Sequence, residues 1–135
     1  MKKFLILILI CITQNTFCQS KNTKTNIPDD EDMVYNTAGI DIKPEYPGGL
    51  NEFYKLIAQN YVTPKEKPVN VKGKVVATFI IEKDGSLNEI RIIKDVGFNT
   101  ANEAIRVLNL SPKWSPGKLQ GKEVRVLYAI PITIN

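Results

Sequence analysis

Residues 73 to 94 decide the fold: Gly73-Lys74-Val75-Val76-Ala77-Thr78-Phe79-Ile80-Ile81, then Glu82-Lys83-Asp84-Gly85-Ser86, then Leu87-Asn88-Glu89-Ile90-Arg91-Ile92-Ile93-Lys94. From Lys74 the side chains alternate with a period of two. Val75, Ala77, Phe79 and Ile81 share one face, and Val76, Thr78 and Ile80 share the other. That period belongs to a strand, whose successive side chains point to opposite sides. Asp84-Gly85 between two such runs marks a hairpin, because glycine supplies the positive φ that a tight turn requires. Leu87 to Lys94 is the returning strand, with Ile90, Ile92 and Ile93 as its apolar members.

On either side of the hairpin the period changes. Upstream, after Pro47-Gly48-Gly49, Leu50, Phe53, Tyr54, Ile57 and Tyr61 recur at helical spacing and predict a helix with one apolar stripe. Pro64 and Pro68 keep the connection to the hairpin extended or turned. Downstream, Thr100-Ala101-Asn102-Glu103 has the spacing of a capping box. Ala101, Ala104, Ile105 and Leu108 form the stripe of this second helix, which must end by Ser111 because Pro112 follows. Finally, Glu123 to Ile134 places Val124, Val126, Tyr128, Ile130, Ile132 and Ile134 on one face of a third strand. The expected fold is α+β: two helices packed on a small three-stranded antiparallel sheet, in the order α-β-β-α-β. No internal repeat is present.

Composition narrows the chemistry. The chain has 135 residues, 43% of them hydrophobic and 24% charged, which suits one folded domain. It has no histidine, and its two cysteines are Cys11 and Cys18. The usual proton shuttle near neutral pH and the commonest transition-metal ligand are therefore missing. A zinc site, a Cys–His nucleophile and a disulfide scaffold are excluded with them, so no cofactor is expected.

The amino terminus has the order of a secretory signal peptide: Lys2 and Lys3, the apolar run Phe4 to Ile12, then polar Thr13 to Thr16. The apolar run is far shorter than the roughly 20 residues that span a bilayer as a helix. Cleavage after Cys18 places small side chains at Thr16 and Cys18. Lipidation of Cys18 is the alternative, but bulky Phe17 precedes it where that processing needs a small residue. Removing Lys2 and Lys3 from the 18 basic residues leaves 16 against 14 acidic ones, a net charge of +2. Residues 19–44 then form a flexible polar leader with the acidic run Asp29-Asp30-Glu31-Asp32. No EF-hand spacing surrounds that run, so it is expected to be solvated rather than calcium-binding. The folded domain occupies residues 45–135.

Motifs for catalysis fail on inspection. Ser115-Pro116-Gly117-Lys118 matches S-x-x-K, but Pro116-Gly117 signals a turn where that nucleophile needs a helix, and the partner motifs are missing. Gly117 to Lys122 echoes a phosphate loop with one residue too few between its glycines, and with Glu123 where Ser or Thr would bind magnesium. Lys113, Lys118, Lys122 and Arg125 cluster around Trp114, a combination that can grip nucleic acid. Export and a net charge of only +2 argue for a solvated rim instead, with Trp114 partly in the core. The chain is expected not to be an enzyme.

At this point a family resemblance emerges. Tyr46-Pro47-Gly48-Gly49, Gly73 to Ile81 with Asp84-Gly85, Pro112-Lys113-Trp114-Ser115-Pro116-Gly117-Lys118, Gly121 to Val126 and Ile130-Pro131-Ile132 together resemble the TonB C-terminal domain family, from about Pro44 to Asn135. The resemblance implies a periplasmic domain of a Gram-negative envelope, contributing to energy-coupled transmembrane transport. Its implied partner is the plug-proximal peptide of an outer-membrane receptor. An inner-membrane proton-driven complex joins the list if the chain is anchored, and a homodimer is left open. The family's usual anchor helix and long Pro-rich arm are replaced here by the short apolar run and a leader of 26 residues, which reaches about 90 Å when fully extended. Two alternatives stand beside this reading: a structural or cell-wall-associated envelope module using the Lys113–Lys122 rim, and an inner-membrane-anchored transducer with an uncleaved amino-terminal segment.

A sheet edge carries unpaired N–H and C=O groups to which an extended peptide can add as a strand. The last strand is the expected edge, since Pro131 cannot donate to a ladder. The candidate partner-binding residues are accordingly Val124, Arg125, Val126, Leu127, Tyr128 and Ala129, with pairing expected to fail at Pro131.

Overall fold

The computed structural model describes residues 31–64 and 72–135. The signal peptide, residues 19–30 of the leader and Pro68 lie outside the described residues. Within them the chain forms β1 (Val34–Asn36), a 3-10 turn (Thr37–Gly39), α1 (Leu50–Asn60), β2 (Gly73–Ile81), β3 (Leu87–Lys94), α2 (Thr100–Leu108), β4 (Gly117–Leu119) and β5 (Lys122–Ile134). The two helices, the hairpin and the long last strand are those expected.

The sheet departs from expectation. It has five strands, not three, in the order β1-β5-β2-β3, with β4 also paired to β5. Antiparallel pairing of β2 with β5 runs unbroken from Gly73↔Ile134 to Ile81↔Val126. β4 pairs antiparallel with the start of β5 through Gly117↔Val124 and Leu119↔Lys122. β1 is the sheet's parallel member, with Val34↔Arg125, Tyr35↔Val126 and Asn36↔Leu127. Residues 34–44, expected to belong to a flexible leader, are therefore part of the domain. Beyond β1, Ile42 and Glu45 bridge to Lys118 and Ser115, and Pro44 is buried.

Both added strands have local causes. Gln120 and Gly121 each have positive φ (50° and 78°), which makes a two-residue reverse turn joining β4 to β5. The stretch rejected above as a phosphate loop is this hairpin. Val34 and Tyr35 are good strand formers, but three residues among polar neighbours leave no periodic signal.

The core lies between the helices and the inner face of the sheet. Val75, Ala77, Phe79 and Ile81 of β2, and Val126, Ile130, Ile132 and Ile134 of β5, are buried there, as their alternation predicts. Trp114 is only 3% exposed. Its ring lies among those of Phe53 (centroids 4.9 Å apart), Tyr128 (5.4 Å), Tyr46 (5.6 Å) and Phe79 (5.9 Å), mostly edge to face. Its indole N–H donates to Ser111 Oγ at 3.0 Å. A side chain expected to pack partly into the core is instead at its centre.

The helical stripes shift slightly. In α1, Phe53 and Ile57 are buried, while Leu50 faces solvent. In α2, Ala104 and Leu108 are buried as expected, but Thr100 and Val107 join them in place of Ala101 and Ile105. The capping box does not form. Asn99 takes a left-handed conformation (φ 63°), and the Thr100 hydroxyl donates backwards to the Gly97 carbonyl at 2.7 Å. The Glu103 carboxylate accepts instead from the Val62 N–H at 2.9 Å and from Arg106. Arg106 in turn donates to the Asn60 carbonyl, so α2 clamps the end of α1. The Tyr61 hydroxyl, whose pKa burial and the nearby Glu103 push up to about 12, donates to the Thr100 carbonyl across the same junction.

On the far side of the sheet, β3 is irregular. Its pairing with β2 slips between Thr78↔Arg91 and Ile80↔Asn88, and again between Val76↔Lys94 and Ala77↔Ile92. Glu89, inside the first slip, has φ 48°. These are bulges, each placing an extra residue in β3.

Candidate functional site

The six residues singled out for partner binding lie in succession along β5, but their edge is partly occupied. Val124 pairs with Gly117 of β4, and Arg125, Val126 and Leu127 pair with β1. Among the described residues, Tyr128 to Ile134 have no strand on the side away from β2. The expectation that β5 is a bare edge is thus corrected: it is an inner strand up to Leu127 and an edge beyond. The sequence reasoning missed β1 and β4 and so placed β5 at the border.

The direction of the β5 amides follows from Pro131. The ladder with β2 continues through Val76↔Pro131 without a break. A residue with no N–H is accommodated there when its nitrogen faces away from the partner strand. Strand alternation then turns the backbone groups of Arg125, Leu127 and Ala129 outward as well. Side chains alternate on the perpendicular axis: Val124, Val126 and Ile130 go to the core, while Leu127 and Ala129 are exposed, Leu127 at 47%.

Arg125 organises the start of this edge. Its Nε and Nη2 donate to the two Glu82 carboxylate oxygens at 2.8 and 3.0 Å, and its Nη1 donates to the Asp32 carbonyl at 3.1 Å. One guanidinium fork therefore ties the hairpin turn to the chain just before β1. That hydrogen bond holds the Glu82 carboxyl below its ordinary value, helped by Asn88, and raises the arginine in return. The sign of the linkage is that of a depressed carboxylate. Its contribution is present above the unfolded value of 4.5 and is lost as pH falls through the lower folded value. Glu82→Gln is expected to cost about 1 kcal/mol at pH 7. Urea denaturation of both proteins should show that gap closing below about pH 4; a gap independent of pH would mean the charge is not responsible.

The basic cluster does not assemble into a nucleic-acid site. Trp114 is in the core rather than beside the cations, and Arg125 is spent on Glu82. Lys113 reaches Asp84 only at 3.6 Å with both side chains largely in solvent. Lys118 belongs to β4, where its carbonyl accepts from the Asp41 and Ile42 N–H groups. Among the described residues no three His, Cys, Asp or Glu side chains group as a metal site would, and no helix is long and apolar enough to cross a membrane. Past Leu127 the edge of β5 runs beside a groove of about 380 Å³ lined by Tyr54, Ile57, Tyr61, Pro131 and Ile132.

The solution structure of the Helicobacter pylori TonB C-terminal domain is similar at 23% identity and a TM-score of 0.46, over 64% of this chain and 91% of that one. No curated protein matches the chain. The family described as Gram-negative bacterial TonB protein C-terminal matches residues 64–134, from shortly after α1 through β5. With more than half of its length matched in this way, the chain belongs to the TonB C-terminal family.

Proposed function

We propose that this domain is a periplasmic peptide-binding module that takes an extended segment of an outer-membrane receptor as an added strand on β5, contributing to energy-coupled transport. The family supports the class of partner. One observation carries the mode of binding: the backbone of β5 is turned outward at Arg125, Leu127 and Ala129, at the side of a sheet whose other face is a packed core. Such pairing draws affinity from main-chain hydrogen bonds and asks little of the peptide's sequence. The binding residues are Arg125 to Ala129. Pro131 ends the ladder. No step in this activity calls for a cofactor or a catalytic side chain. Export through the cleaved segment 1–18 puts the domain in the compartment where receptor plugs are reached.

The test is titration of the exported chain with synthetic peptides from the plug-proximal segments of outer-membrane receptors. Affinity should change less than about threefold between 0.1 and 1 M salt, because backbone bonds are little screened. Leu127→Pro removes an outward N–H while leaving the ladder to β2 in place, and should weaken binding at least tenfold without loss of the folded state. Unchanged affinity in that variant sinks the proposed edge. Binding that disappears at high salt favours the Lys113–Lys122 rim and an envelope-associated role.

A further inference from the structure

The edge of β5 is not empty, and what fills it is the chain itself. β1 covers Arg125 to Leu127 in parallel register. Of the outward-facing positions before Pro131 ends the ladder, it leaves Ala129 alone. One residue is too little for a strand, so a peptide of useful length cannot seat beside β1; it must take its place.

β1 is built to be displaced. It is three residues long, with Val34 and Asn36 exposed and Tyr35 only half-buried. Among the described residues, no member of the hydrophobic core cluster precedes Tyr46 in the chain. Its approach is held by the Arg125 contact to the Asp32 carbonyl, an acceptor that any peptide backbone offers equally. Its exit is set by Asn36, whose side-chain oxygen accepts from the Ala38 and Gly39 N–H groups and turns the chain off the sheet. A peptide without that turn would continue past Leu127 to Ala129 and gain pairing that β1 lacks.

We infer that Val34–Asn36 is an internal occupant of the binding edge, a tethered stand-in that an incoming peptide displaces while running parallel to β5 and taking over the Arg125 contact. This rests on the reading that the β5 edge receives a receptor segment. It also explains why a reactive strand edge is not left open when no partner is present. Apparent affinity for the partner is then lowered by the fraction of molecules in which β1 is seated.

The experiment compares the full chain with V34P/Y35P. Neighbouring residues turn their amides to opposite sides, so the pair removes whichever one faces β5. The probe is a capped synthetic peptide with the sequence of residues 31–38, and the readouts are its affinity and amide hydrogen exchange by NMR. In the unmodified chain the amides of Arg125 and Leu127 should be protected without peptide. In V34P/Y35P they should lose at least tenfold in protection, while Ala77 and Phe79 keep theirs. The probe should bind the variant at least tenfold more tightly than the unmodified chain and restore protection at Arg125 and Leu127. Equal affinity for the two proteins overturns the inference, and so does failure of the probe to bind the variant at millimolar concentration. Loss of protection at Ala77 and Phe79 overturns it too, because a displaceable strand cannot be required by the core. A variant that takes the probe as expected but no receptor segment supports the internal occupant and overturns the receptor reading instead.

Discussion

Gly85→Ala is expected to be the most damaging single substitution in the hairpin, costing on the order of 4 kcal/mol or more. Two effects add. Gly85 has φ 87°, where an L-residue with a Cβ pays about 1–2 kcal/mol. The larger effect is contact: an added Cβ would lie 1.8 Å from the Trp114 carbonyl oxygen and 3.0 Å from the Trp114 nitrogen. Those are backbone atoms of the segment that carries the core tryptophan, so no side chain can swing aside. Relief would require the turn to move away and give up the bond from the Trp114 N–H to the Gly85 carbonyl, now 2.8 Å. Gly121 is the natural control. Its φ of 78° is as strained for alanine, but a Cβ there meets nothing within 4 Å. Gly121→Ala should therefore cost only about 1 kcal/mol, a fall in Tm of roughly 4–8 °C, and Gly85→Ala several times more. Similar losses in the two variants, measured by thermal unfolding, would show that backbone conformation rather than the Trp114 contact governs the turn.

Trp114→Ala is the second large effect, expected at about 3–5 kcal/mol. Four aromatic rings surround this indole, drawn from the chain before α1, from α1, from β2 and from β5. Removing it leaves a cavity where all of those elements meet, and total stability of a domain this size is only about 5–15 kcal/mol. Trp114→Phe separates packing from hydrogen bonding. It keeps a ring among the four neighbours, loses the bond to Ser111 Oγ, and should cost about 1–2 kcal/mol. Urea midpoints check both. An alanine variant less than about 1.5 kcal/mol below the parent would mean that the core closes over the gap.

The residues that announced themselves in the sequence are those whose role is periodic. Alternation along 74–81 and 123–134 identified two strands with their buried faces, and Asp84-Gly85 identified the turn from β2 into β3. Elements too short to show a period escaped. β1 and β4 have three residues each, and their places are decided by the unsatisfied edge of β5, a property that exists only once the sheet has formed. Gln120-Gly121 does carry a local signal, a glycine at a position needing positive φ, but the spacing of Gly117 to Lys122 hides it by echoing a phosphate loop. Trp114 was legible as apolar and not as central, since its four neighbours come from as far away in the chain as Tyr46. For the candidate site, Pro131 is the residue from which the direction of the β5 backbone is read. What covers that backbone was not foreseeable from β5 itself.

The irregular β3 bears on stoichiometry. A sheet with two receptive borders can add a peptide on one side and another copy of itself on the other, and then grow without limit. Here the far border is interrupted twice, with Glu89 kinked out of strand geometry and Arg91 and Lys94 alongside. An extended chain laid against it would meet mismatched spacing and fixed charge within a few residues. Growth in that direction stops before it starts, so the strand addition proposed at β5 would end in a closed pair rather than a link in a fibre.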